Sequence, residues 1–141
     1  MNPKVLAGFV GVVTLVLGLV GLFYPEQTMH IVGYGYTNPE NRPGTLGEVR
    51  AVYGGLMVVL GAFTLLAATD PTRHQGRLLL IGLLWIGTAS GRLVGLFFDG
   101  NPGIVGWLSV VTEVIGGGAL LLASQARDPA DETVAAPTPV S

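Results

Sequence analysis

The chain has 141 residues, of which 50% are hydrophobic and only 11% charged, with a net charge of -2 and no cysteine. A soluble domain carries about 25% charged residues, so this chain lacks the polar surface needed in water and reads as a one-domain integral membrane protein. The absence of cysteine excludes a disulfide framework, thiol catalysis and a Cys-based zinc site, and the slightly negative charge offers no footprint for nucleic acid.

A bilayer core of about 30 Å takes roughly 20 apolar residues in a helix. No charge occurs from Val5 to Pro25, which predicts a first span over residues 5–24. That run exceeds the roughly 7–15 apolar residues of a signal peptide, so it reads as a retained helix. The connection from Tyr24 to Thr45 is the longest, and Met29, Ile31, Val32, Tyr34 and Tyr36 within it suggest a segment lying on the membrane surface. A second span is predicted over 46–68, opening on Thr45-Leu-Gly-Glu48, which has the spacing of a capping box. A short polar turn with Arg73 and Arg77 leads to a third span, 78–98, interrupted only by Arg92. The sequence Asp99-Gly-Asn-Pro-Gly103 is a turn by composition and folds the third span back on a fourth, 104–123, interrupted only by Glu113. Residues 125–141 are small, polar and proline-containing and cannot bury enough apolar area to order themselves, so a flexible cytoplasmic tail is expected. Lys4, Arg73, Arg77 and Arg127 would share one side of the membrane, against Arg42 on the other. The resulting expectation is an all-α, multi-pass four-helix bundle in the cell membrane with both termini cytoplasmic.

Glycine supplies 22 residues, many of them inside the spans. Gly11 and Gly18 recur at seven in the first span, and Gly47, Gly54 and Gly61 do so in the second. The third carries Gly87, Gly91 and Gly95 at intervals of four. Between helices in lipid there is no hydrophobic force, so small residues that permit close backbone approach drive packing. Contacts within the chain are the favoured use of these faces, ahead of a homodimer surface. Gly116-Gly117-Gly118 is a candidate kink.

Four charges lie inside or at the edge of the predicted spans: Glu48, Arg50, Arg92 and Glu113. At 1.5 Å per residue they lie about 3, 6, 10 and 15 Å from the outer helix ends. A charge at mid-bilayer costs at least about 2.5–3.5 kcal/mol and normally turns inward to a partner. Glu48 is explained as well by a cap with Thr45, and Arg50 is shallow enough to snorkel to headgroups. Arg92 and Glu113 differ by about one helical turn in depth across the hairpin and are expected to pair, either structurally or as part of a site. Tyr53 follows Arg50 on nearly the same face, Thr88 and Ser109 sit one turn from Arg92 and Glu113, and Asp99 is an alternative partner for Arg92. Together these predict a polar crevice in the outer half of the bilayer. Trp107 reads as an interface anchor, Trp85 as packing and His74 as a solvated residue of its turn, while His30, in the first connection with Glu26 and Glu40, lacks the spacing of a closed metal site.

The string Glu48-Val-Arg50-Ala-Val-Tyr53-Gly54-Gly55 resembles the hallmark of a bacterial family of small four-helix membrane proteins known only as a domain of unknown function, with a loose topological likeness to DoxX-type proteins. Gly91-Arg92-Leu-Val-Gly95 and Glu113-Val-Ile-Gly116 resemble the same family's later motifs. The resemblance implies a four-helix membrane domain with these charged positions as its signature, and no assigned activity.

With no nucleophile, metal or nucleotide motif, an enzyme is the least favoured reading and no cofactor is expected. The leading expectation is a non-enzymatic binding or accessory module. Its ligand would be a lipid-like anionic molecule or a partner membrane protein, bound at Arg50, Tyr53, Arg92, Glu113 and Asp99. Membrane lipid, a larger membrane complex or a homo-oligomer are the expected partners. The alternative is a small transporter or channel using Glu113 as a protonatable group.

Overall fold

The computed structural model describes residues 2–35 and 38–126; Tyr36 of the first connection and residues 127–141 of the expected tail lie outside the described residues. Helix α1 (Pro3–Phe23) opens with the Asn2 side chain accepting the Lys4 N–H at 2.9 Å and with Pro3 at the first helical position, where a missing N–H leaves no bond unmade. It ends before Pro25, which starts the short helix α2 (Pro25–Ile31).

The second span is longer than its apolar run. A 3-10 turn (Pro39–Asn41) leads into α3 (Arg42–Val49), a π-helical segment (Arg50–Leu56) and α4 (Met57–Thr69), one 31-residue rod. The expected capping box at Thr45 and Glu48 does not form. Prolines with φ already near the helical value start the helix upstream, so Thr45 lies inside it and its hydroxyl donates back to the Asn41 carbonyl at 3.1 Å. Glu48 is exposed on the same helix.

Asp70 turns the chain into α5 (Gln75–Asp99): its carboxylate accepts the Thr72 hydroxyl at 2.7 Å and the Arg73 N–H at 3.2 Å. After α5 the turn relies on Gly100 (φ 92°) and Gly103 (φ 70°), a left-handed conformation that is readily adopted only without a Cβ. Asn101 braces it by accepting the Gly103 N–H and the Trp107 indole N–H. Helix α6 (Gly103–Ala123) runs unbroken through Gly116–Gly118, so the glycine run does not end the helix.

Four helices are therefore long and apolar enough to cross a membrane. The chain is a small polytopic membrane protein. Its exposed side chains fit that environment: Phe9, Val16, Leu80 and Ile115 are each more than half exposed, an apolar belt suited to acyl chains. Buried hydroxyls are satisfied within their own helices, Thr14 on the Val10 carbonyl at 2.8 Å and Thr64 on the Leu60 carbonyl at 2.7 Å, as a medium without water requires.

The helices pack as two antiparallel pairs, α1 with the second span and α5 with α6, joined through α1–α6 and α4–α5. Glycine sets the first pair's spacing. A Cβ on Gly18 would lie 2.5 Å from the Val58 nitrogen and one on Gly61 2.5 Å from the Leu15 nitrogen, while Gly21 abuts the Tyr53 carbonyl. In the second pair Gly82 meets Gly117. Gly47, Gly87 and Gly91 face open space, so only part of the glycine pattern serves packing within the chain.

The four-helix core sits at the terminal end of the bundle, where Ala7, Val10, Ala67, Leu78, Ile81 and Leu120 meet. A second, smaller cluster lies at the loop end: Met29 of α2 packs against Leu46 and Val49 of α3, with Tyr53 beside it. The first connection thus covers the end of the second span instead of only lying on the membrane surface. Glu26 of α2 and Arg42 of α3 form an ion pair that ties this cover down. On the other pair, no residue of α5 after Ala89 and none of α6 before Val110 is buried.

Candidate functional site

That absence of burial leaves an uncovered stretch at the loop end of the α5–α6 hairpin. Arg92 and Glu113 sit at its base. The Arg92 Nε donates to Glu113 Oε1 at 2.9 Å, pinning the two helices in register at this depth. Glu113 is 5% exposed, whereas the Arg92 side chain is 30% exposed. The carboxylate is thus sealed between helices, and the arginine side chain is not.

Tyr53 lies beside the Arg92 guanidinium, and its hydroxyl donates to the Tyr34 hydroxyl at 3.1 Å. The two tyrosine rings meet edge to face, with centroids 6.0 Å apart and planes at 75°, the geometry their ring quadrupoles favour. A polar chain therefore runs from Tyr34, half exposed in the first connection, through Tyr53 and Arg92 to the buried Glu113. Tyr34 enters because Gly33 takes a left-handed φ of 76° and the Tyr34 N–H folds back onto the Met29 carbonyl at 2.9 Å. Nothing in the spacing of the sequence pairs Tyr34 with Tyr53; the turn that ends α2 does.

One atom stands out energetically. Glu113 Oε2 is buried without a hydrogen-bond partner among the described residues. A carboxylate oxygen denied both water and a donor carries a desolvation penalty of about 1–3 kcal/mol or more. The indole nitrogen of Trp85, two turns before Arg92 on α5, is the other such atom.

The remaining sequence candidates lie elsewhere. Arg50 is exposed and makes no ion pair among the described residues. Asp99 is exposed at the end of α5; Arg92 takes Glu113 as its partner instead, because the antiparallel hairpin puts that carboxylate directly across. Thr88 and Ser109 are not recruited either. Each bonds its own helix, to the Leu84 carbonyl at 2.8 Å and the Val105 carbonyl at 3.0 Å, which satisfies a hydroxyl with less ordering than a long reach across the bundle. Of the residues expected at the site, Tyr53, Arg92 and Glu113 come together; Arg50, Asp99, Thr45 and Glu48 do not join them.

Searches of curated proteins and of solved structures found no match for this chain. Residues 3–124, the whole four-helix unit, match the family described as a domain of unknown function, DUF4345, and the chain belongs to that family.

Proposed function

We propose that the loop end of the bundle beside Arg92 is a binding site for an amphiphile with an anionic group, its charge on Arg92 and its apolar tail against the lipid-facing side chains. The protein acts in this reading as a non-enzymatic binding module. The observation that carries the proposal is the unequal exposure of the buried pair. Glu113 is sealed and is bonded by the Nε of Arg92, which leaves the terminal nitrogens of a partly exposed guanidinium for a ligand, with a tyrosine nearby. Arginine in such a setting suits carboxylate and phosphate, which it binds through a planar fork. Exposed apolar side chains at that end, Phe97 and Phe98 on α5 and Ile104 on α6, offer an approach from the lipid.

The loop end is proposed to face outward, with both termini in the cytoplasm, on the distribution of Lys and Arg. The chain has no cysteine of its own, so single-cysteine variants test this directly. Asn38→Cys should be labelled by an impermeant maleimide on intact cells and Gln75→Cys only after lysis; the reverse pattern overturns the orientation.

Tryptophan quenching by brominated lipids tests the ligand class, with Trp85 and Trp107 as reporters. In phosphatidylcholine vesicles, brominated phosphatidylglycerol should quench preferentially. Arg92→Gln should reduce the preference about tenfold, the worth of one charge-assisted hydrogen bond of about 1.5 kcal/mol, and Arg50→Gln should leave it unchanged. Displacement by inorganic phosphate would identify a dissolved anion instead of a lipid. Equal quenching by both lipids would refute the amphiphile reading and favour a partner membrane protein whose own carboxylate occupies Arg92.

A further inference from the structure

We infer that the uncovered face of α3 is a docking surface for a second copy of this chain. The two copies meet across a two-fold axis along the membrane normal, with Arg50 of each opposite Glu48 of the other. The helix has two unlike sides. Leu46 and Val49 are buried against Met29 of α2. On the other side Gly44, Gly47 and Ala51 are exposed, and at 3.6 residues per turn they fall within about 60° of one another. A Cβ on Gly44 or Gly47 would meet nothing within 4 Å. Glycine weakens a helix relative to alanine, and no neighbour within the chain uses the space these two leave.

The charges flanking this stripe fit a second copy. Glu48 and Arg50 are both exposed. Neither takes part in the ion pairs among the described residues, Glu26 with Arg42 and Arg92 with Glu113. Two residues apart, they point about 160° away from each other and cannot pair within one helix. Measured from the middle of the stripe, Glu48 lies about 70° to one side and Arg50 about 90° to the other. A two-fold rotation that sets two such stripes face to face brings one flank of each helix beside the opposite flank of its copy. Arg50 then faces Glu48 of the other copy, twice over, at a height difference of about 3 Å, which an arginine side chain spans. The axis lies along the membrane normal because both copies insert in the same orientation. Counted back from Thr69 at the end of α4, the roughly 20 residues that cross the hydrocarbon reach Arg50. Both pairs thus sit at the hydrocarbon edge, where screening is weaker than in bulk water. The glycines let the backbones approach closely enough for dispersion to add to them. On α5, Gly87 and Gly91 also face open space, but the neighbouring Arg92 is already engaged by Glu113, so that face lacks a matching pair of charges.

This surface is separate from the Arg92–Glu113 pair and is tested independently of anion binding there. Energy transfer between copies labelled at the N-terminus with donor or acceptor, diluted in phosphatidylcholine vesicles, gives the dimer affinity. Glu48→Arg and Arg50→Glu should each weaken self-association about tenfold, because two attractions become two repulsions. Mixed together, the two single variants should pair with each other as the wild type does, since every contact is again Arg against Glu. The double variant Glu48→Arg, Arg50→Glu should likewise pair with itself, which also shows that the substituted chains fold. The chain has no cysteine, so Gly47→Cys, beside the axis, should give a disulfide-linked dimer on mild oxidation in native membranes, and Gly87→Cys should not. A wild type that stays monomeric at every protein-to-lipid ratio would overturn the proposal. So would a dimer indifferent to the charge changes and linked through Gly87→Cys, which would place the second copy on α5. Association that follows added phosphatidylglycerol instead of the charge match would assign Glu48 and Arg50 to lipid headgroups and equally overturn it.

Discussion

Replacing Arg92 by Met removes the partner of a carboxylate that has nowhere else to turn. Glu113 is 5% exposed, its Oε1 is held only by Arg92 at 2.9 Å, and its Oε2 already lacks a partner. At an effective dielectric of about 20 the Coulomb attraction at about 4 Å is roughly 4 kcal/mol, and breaking one side of a buried pair costs about 3–5 kcal/mol. Arg92→Met should fall in that range. Glu113→Gln should cost less, about 1–2 kcal/mol, because the Arg92 side chain is 30% exposed and is not sealed with its partner. The double variant Arg92→Met, Glu113→Leu replaces the pair by apolar contacts and should be more stable than Arg92→Met alone, since such replacements are often neutral or stabilising. Reversible unfolding in mixed micelles, followed by helical circular dichroism against the fraction of denaturing detergent, gives the three free energies. Equal single penalties that sum in the double variant, within the roughly 0.3–0.5 kcal/mol of independent sites, would refute a buried, coupled pair.

Gly18→Ala places a methyl 2.5 Å from the Val58 nitrogen and forces α1 and α4 about 1 Å apart, which forfeits a quarter to a half of each contact's attraction; a loss of about 1–3 kcal/mol is expected, against none for Gly87→Ala, which meets open space, both read by the same unfolding assay. The hydroxyl of Thr72, and then the Arg73 N–H, hold the Asp70 carboxyl below its ordinary value. Its stabilisation of the α4–α5 turn is therefore complete above the unfolded carboxylate pKa and is lost as pH falls through the lower folded value. The melting-temperature gap between wild type and Asp70→Asn should accordingly narrow only in acid. Tyr53→Phe removes the hydroxyl that donates to Tyr34 and should lower stability by about 1 kcal/mol while weakening the phosphatidylglycerol preference in lipid quenching.

The four spans are legible in the run lengths of the sequence, because hydrocarbon thickness imposes those lengths. The Arg92–Glu113 pair is legible for a related reason. Two residues on either side of a tight turn have depths fixed by helical rise, and an isolated charge in lipid must find its opposite. What spacing does not convey is tertiary or depends on a departure from the α-helix. Tyr34 joins the site only through the left-handed turn at Gly33. Thr88 and Ser109 have the right spacing for a crevice yet find a nearer acceptor one turn back. The start of the second span is obscured by prolines that open a helix although they would break one further in.

The largest departure explains why Arg50 and Tyr53 part company. On an α-helix, residues three apart lie within about 60° of each other, so both would face one crevice. Arg50–Leu56 is instead π-helical, with bonds from i to i+5 and a smaller rotation per residue. Three residues then fall well short of a turn, which leaves Arg50 exposed while Tyr53 turns in toward Arg92. The same segment carries the close packing of the first helix pair: Gly54 lies against the Leu22 backbone, and Gly21 against the Tyr53 carbonyl. The backbone that aims the tyrosine is thus clamped by α1, and the tyrosine is the polar contact from that pair to the charged pair of the other. The string Arg50-Ala-Val-Tyr53-Gly54-Gly55 therefore acts as one mechanical unit. Its glycines fix the distance between helices, its widened turn fixes the phase, and together they set the position of one tyrosine beside Arg92.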